Sequence, residues 1–182
     1  MEETEILRLL SDKRTRERGF DEIVDQYSEK LYWKIRSMVF SHEDANDILQ
    51  NTFIKAWKNI DSFEGKSKLS TWIYRIAINE TLDFLRHKKS VAAINTDGDM
   101  SVANRLMGDE YFDGDRAQAI LQEAVSLLPE VQRAVFTMRY YDEMKYSEMS
   151  KVLGTSEGAL KASYHIAVQK ITKYVKSHDD FV

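Results

Sequence analysis

The 182-residue chain contains no cysteine, which excludes disulfides and thiolate metal sites. Proline occurs once and glycine seven times, and so few breakers favour helices. No apolar run approaches the roughly 20 residues that cross a bilayer. The start, Met1-Glu2-Glu3-Thr4-Glu5, is acidic where a secretory signal is basic. No membrane insertion and a cytoplasmic location are therefore expected. The histidines His42, His87, His165 and His178 are scattered and never fall at His-x-x-x-His spacing. No nucleophile-plus-base pair and no glycine-rich phosphate loop occurs. The expectation is a chain without catalytic residues, metal or cofactor.

Charge is unevenly spread. The formal net charge is −4, which by itself argues against a nucleic-acid binder. Residues 1–90 hold 16 basic and 16 acidic side chains, and residues 126–182 hold 8 and 7. The deficit lies between them, where residues 91–125 hold 2 basic and 7 acidic side chains. A short basic face on either end remains able to meet phosphate.

Apolar spacing divides the chain. Phe20, Ile23, Val24, Tyr27, Leu31, Ile35 and Val39 make one helical stripe. Ser41 with Asp44 resembles a capping box, so a second helix is expected from there. Its inward face is Ala45, Ile48, Leu49, Phe53, Ala56, Trp57 and Ile60. Asp61 to Lys68 reads as a loop around Gly65. Ser70-Thr71 opens a third helix to about Lys89, with Leu69, Ile73, Ile76, Ala77 and Phe84 inward. Residues 90–115 lose the period. Asn95-Thr96-Asp97-Gly98-Asp99 and Asp113-Gly114-Asp115 are acidic and turn-rich, which predicts a flexible linker with a short helix near Val102–Met107. From Arg116 the period returns through Ala117, Ile120, Leu121, Ala124, Leu127 and Leu128. Pro129 then starts a helix with Val131, Ala134, Val135 and Met138 inward. The predicted fold class is all-α: a helical domain (1–89), an acidic linker (90–115) and a second helical domain (116–182).

Three constellations stand out. The first is Tyr146 to Lys161, a short helix anchored by Val152 and Leu153, a turn at Gly154, and a longer helix capped by Ser156 and anchored by Leu160. That is a helix-turn-helix pattern, though its spacing also suits a plain helical hairpin. Ser156, Glu157, Lys161, Ser163 and His165 are its candidate contacts to phosphates and base edges. The second is Asp44, Asp47, Gln50 and Asn51, which share one side of the second helix. They form either a solvated face or a seat for a basic partner. The third is Trp72, Arg75, Asn79, Leu82, Asp83 and Arg86 on one side of the third helix, preceded by Phe63, Lys66 and Lys68. A tryptophan beside arginines and an asparagine can stack on unpaired bases and hold the backbone; a tryptophan near a helix start is also a common core residue.

Taken together these stretches resemble the extracytoplasmic-function, or group IV, sigma factors of the sigma-70 superfamily. Asp44 to Trp57 is similar to the polymerase-docking helix of region two. The resemblance implies that Asp44, Asp47, Gln50 and Asn51 grip core RNA polymerase. Leu69 to Asn79, continued through Asp83-Phe84-Leu85-Arg86, resembles the segment that melts and reads the minus-10 element. It implies contacts to the separated strand from Phe63, Lys66, Lys68, Trp72, Arg75, Asn79 and Arg86. Ile78 stands where many members have arginine. Leu128-Pro129-Glu130 through Lys170 resembles region four, whose second helix reads the double-stranded minus-35 element. The family implies a non-enzymatic function, directing RNA polymerase to promoters and assisting melting, and an anti-sigma partner. A stand-alone helix-turn-helix regulator would share only residues 128–176, without the Trp72–Arg86 helix.

Overall fold

The computed structural model describes residues 1–92 and 101–178. Four helices build the N-terminal part: α1 (Glu3–Ser11), α2 (Arg16–Val39), α3 (His42–Lys58) and α4 (Leu69–Ala92). The apolar stripe of α2 packs as its spacing predicts, with Ile23, Tyr27, Leu31 and Ile35 buried. Ser41 begins α3, its hydroxyl accepting from the Asp44 backbone N–H at 3.3 Å. The buried side of α3 is Ala45, Ile48, Thr52 and Ala56. Trp57, expected inside, is 39% exposed. It lies beside that stripe rather than on it, with its ring edge-on to Phe20 at 5.0 Å.

α1 was not foreseen from the sequence. It places Ile6 and Leu10 in the same core as α2 and α4. α4 starts one residue before the predicted Ser70-Thr71 opening and runs three past Lys89. It carries two apolar faces. Ile73 and Ala77 form one. Tyr74, Ile78 and Leu82, all buried, form the other. Leu82 thus leaves the outward stripe to which its spacing assigned it.

The C-terminal part comprises α5 (Val102–Met107), α6 (Arg116–Ser126), α7 (Glu130–Tyr140), α8 (Tyr146–Leu153) and α9 (Glu157–Ser177). Asp115 and Gln118 form a reciprocal capping box on α6. The stretch from Asn95 to Asp99 lies outside the described residues. Residues 101–115, expected as part of a flexible linker, are packed instead. Ala103 and Leu106 are fully buried against Ala119 and Ile120, and Asp109 pairs with the buried Arg36 of α2. Buried apolar area on one side of α5 outweighs the turn-rich, acidic character of its flanks.

The two helical domains share one apolar cluster. Tyr74, Ile78 and Leu82 of α4 join Ala134, Val135, Met138, Met149, Val152 and Leu160 of α7 to α9. Polar contacts fasten the edges. Tyr74 Oη donates to Asp142 at 2.8 Å, and Lys34 Nζ lies 2.6 Å from the same carboxylate and 4.6 Å from the Tyr74 ring centre. Arg133 Nη1 donates to the Met38 carbonyl at 2.9 Å.

This clasp has a pH signature. Burial, and after it the charge and hydrogen bond of Asp142, raise the Tyr74 phenol well above its ordinary value. An unfolded tyrosine ionises near pH 10. Above that pH the unfolded chain releases a proton that the folded chain retains, so stability is complete below pH 10 and falls as pH rises past it. The slope approaches about 1.4 kcal/mol per pH unit. Denaturant unfolding between pH 8 and 11 should show this loss, and Tyr74→Phe should flatten the curve relative to the unmodified chain.

Candidate docking and nucleic-acid interfaces

On α3, Asp47, Gln50 and Asn51 are exposed and project from one side, as 3.6-residue spacing requires. Asp44 starts the same ridge but is half-buried and paired with Lys88 Nζ of α4 at 2.7 Å. The ridge continues where the sequence reading stopped. Ile54 is 51% exposed; with Trp57, Phe20, Phe53 and Lys58 it lines an open groove of about 370 Å3. The face is therefore acidic at its start and apolar toward its end, a combination suited to a partner helix with both cations and aliphatic side chains. Ile54 lies seven residues after Asp47, and that heptad step was the available signal.

On α4 the structure keeps Trp72, Arg75, Asn79, Asp83 and Arg86 on one side. Arg75, Asn79 and Arg86 are exposed, and Trp72 is half-buried. The Trp72 ring leans on Phe63, centres 5.4 Å apart and planes tilted by 58°. The pair presents one part-exposed aromatic surface at the head of the stripe. Fourteen residues at 1.5 Å each carry it about 21 Å to Arg86. Arg86 Nη1 bonds Asp83 at 3.0 Å and its Nε lies 3.7 Å from Glu130 of α7. In the loop before α4, Gly65 takes φ +67°, a conformation that favours glycine. Lys66, paired with Glu64, and Lys68 project from the same loop and are exposed. An aromatic head followed by guanidinium and amide groups can hold a single strand by stacking and by phosphate contact.

In the C-terminal domain, α8 ends on Gly154 at φ +65°, and α9 begins with the Ser156 hydroxyl accepting from Ala159 N–H at 3.3 Å. Leu160 is buried and anchors the turn. Glu157, Lys161 and His165 are exposed along the outer side. Lys161 Nζ sits 5.7 Å from the Tyr146 ring centre, and His165 shares a 3.1 Å hydrogen bond with Gln169. Ser163 is not brought to this group. It is half-buried and stands about 200° round the helix from both Lys161 and His165.

Comparisons with known proteins follow the same division. Residues 23–91 match the model for Sigma-70 region 2, and residues 118–171 match the model for Sigma-70, region 4. The chain is 31% identical over 168 residues to the extracytoplasmic-function (ECF) RNA polymerase sigma factor SigW of Bacillus subtilis, an alignment covering 87% of this chain and 89% of that one. It is 27% identical to the RNA polymerase sigma-H factor of Pseudomonas aeruginosa, with 86% of each chain covered. Among solved structures, the sigma factor RpoE in complex with the anti-sigma factor NepR from Bartonella quintana aligns with TM-score 0.65 at 22% identity, over 87% of this chain and 98% of that one. CnrH in complex with the cytosolic domain of CnrY aligns with TM-score 0.67 at 22% identity, over 94% and 95%. Helical content, the order of the two domains and the sequence kinship agree, and the chain belongs to the ECF sigma factors of the sigma-70 family.

Proposed function

We propose that this protein is the promoter-selecting subunit of a bacterial RNA polymerase, with α3 as its enzyme-docking face, α4 as its strand-holding face and α9 as its duplex-reading helix. Asp44, Asp47, Gln50 and Asn51, extended by Ile54 and Trp57, meet the core enzyme. Phe63, Lys66, Lys68, Trp72, Arg75, Asn79 and Arg86 hold the separated minus-10 strand. Ser156, Glu157, Lys161 and His165 face the double-stranded minus-35 element, whereas Ser163, half-buried and off that side, does not.

The observation that carries this reading is the coexistence, in one chain, of a polar-apolar ridge on α3 and an aromatic-cationic stripe on α4. A regulator that reads only duplex DNA needs neither. The role is one of binding. Extruding a base costs a few kcal/mol, and stacking on an aromatic returns about 1–3 kcal/mol, so a protein surface can hold open a weak duplex without chemistry. Kinship also suggests an anti-sigma protein as the partner that restrains the free subunit.

Run-off transcription tests it. Purified bacterial core enzyme plus this chain, on fragmented genomic DNA, should yield start sites absent from core alone and preceded by a shared pair of elements. Core enzyme that neither retains the chain nor gains start sites would overturn the assignment.

A further inference from the structure

The first turn of α4 has an unusual cap. Lys68 occupies the position before the helix, and its side chain has no acceptor for the orphan N–H groups that open a helix. Its carbonyl serves the Thr71 and Trp72 N–H groups, each at 3.1 Å. The buried Leu69 N–H is served from 66 residues away, donating to Glu3 Oε1 at 2.7 Å. A carboxylate here also complements the positive end of the α4 dipole. Burial and, second to it, the same Glu3 charge raise the Tyr27 phenol.

Glu3 is held in place by the whole of α1. Ile6 is fully buried and Leu10 nearly so. Gly19 of α2 permits the approach, since a Cβ there would stand 2.9 Å from Leu9 Cβ and 3.1 Å from Leu10 N. Thr15 Oγ1 donates to the Leu9 carbonyl at 2.8 Å. Arg16 Nε donates to the Leu10 carbonyl at 3.3 Å, and its Nη2 reaches Asp61 at 2.7 Å. The segment between α3 and α4 is thereby tied at both ends: at Leu69 directly to α1 through Glu3, and at Asp61 to Arg16, the first residue of α2, which also holds the Leu10 carbonyl of α1. Between those ties lie Phe63, Gly65, Lys66 and Lys68, and Trp72 follows one turn later.

We propose that α1, which lies before the residues matched to region two, is a positioning brace for strand capture, with Glu3 setting the start of α4 and Arg16 setting the loop. The proposal rests on the reading of α4 as the strand-holding helix. Neither residue touches DNA. They hold the Phe63–Trp72 pair in the geometry that receives a base, an ordering cost otherwise met at the moment of melting.

The test uses the full chain with bacterial core enzyme on the strongest promoter mapped by run-off transcription. Opening is followed by permanganate reactivity of thymines, on the duplex promoter and on the same promoter pre-opened by mismatches. Glu3→Ala should slow opening of the duplex about fivefold, the size of a lost helix cap. On the pre-opened template, and in affinity for core, it should stay near the unmodified chain. Glu3→Gln, which keeps an acceptor at the same reach, should recover most of the loss. Arg16→Ala should reproduce the duplex-specific defect. Equal loss on both templates would mark Glu3 as a general stability residue and overturn the brace, and so would normal opening by Glu3→Ala beside a defective Trp72→Ala. Normal opening by both variants would overturn the reading of α4 itself.

Discussion

Trp72→Ala should reduce formation of the open promoter complex about tenfold while leaving affinity for core polymerase within about twofold, the scale of one lost base-aromatic stack. The ring is half-buried, resting on Phe63 at 5.4 Å, so truncation removes the part-exposed aromatic surface and some packing together. The packing share should cost about 1–2 kcal/mol of folding stability, less than for a fully buried ring, and the chain remains folded. Asn79 is exposed about two turns further along the same side. Asn79→Ala should therefore impair opening with little change in thermal stability, because the side chain is exposed. Permanganate footprinting of the duplex promoter, paired with titration of labelled core enzyme, separates the effects. Core affinity lost with opening intact would reverse the roles assigned to α3 and α4.

The helices and their order were legible because each has an apolar stripe of the right period. Ile23, Tyr27, Leu31 and Ile35 are buried where spacing put them, and Ala45, Ile48 and Ala56 likewise. α1 was not legible. Its buried residues are only Ile6, Leu9 and Leu10, too few for a periodic signal, and what seats it is a missing side chain at Gly19. The cap on α4 was hidden for a related reason, since a contact across 66 residues leaves no local trace. Leu127 and Val131, both counted in the apolar period, are exposed; Leu127 is the C-cap of α6 and Val131 lies in the first turn of α7. Residues 101–115 read as linker because acidic turns outnumber apolar side chains, yet Ala103 and Leu106 suffice to dock α5. His42, one of the four scattered histidines, stacks on Tyr111 with ring centres 3.9 Å apart, a contact between distant segments. The candidate site was legible where it is polar and local. Its apolar extension was missed because Trp57 was assigned to the inward stripe and Ile54 to neither face.

Ile78→Arg should part the two helical domains while each stays folded. Ile78 is almost fully buried, one turn after Tyr74, on the face of α4 that meets α7 and α8. Arginine there puts an unpaired cation into the apolar cluster that both domains share, at a cost of about 3–5 kcal/mol. That cost falls mainly on the contact between domains, because Ile78 continues the Tyr74 side of α4, which bonds Asp142, while Ile73 and Ala77 lie about 100–140° round the helix. Asp142 offers no ready relief, being already shared by Tyr74 and Lys34. Small-angle scattering should show a larger radius of gyration for Ile78→Arg, and calorimetry should show two transitions in place of one. Asp142→Asn, which weakens the rim but leaves the apolar contact, should lower the transition temperature without dividing it. A single compact body for Ile78→Arg, melting in one step, would mean that the apolar contact between the domains is not what holds them together.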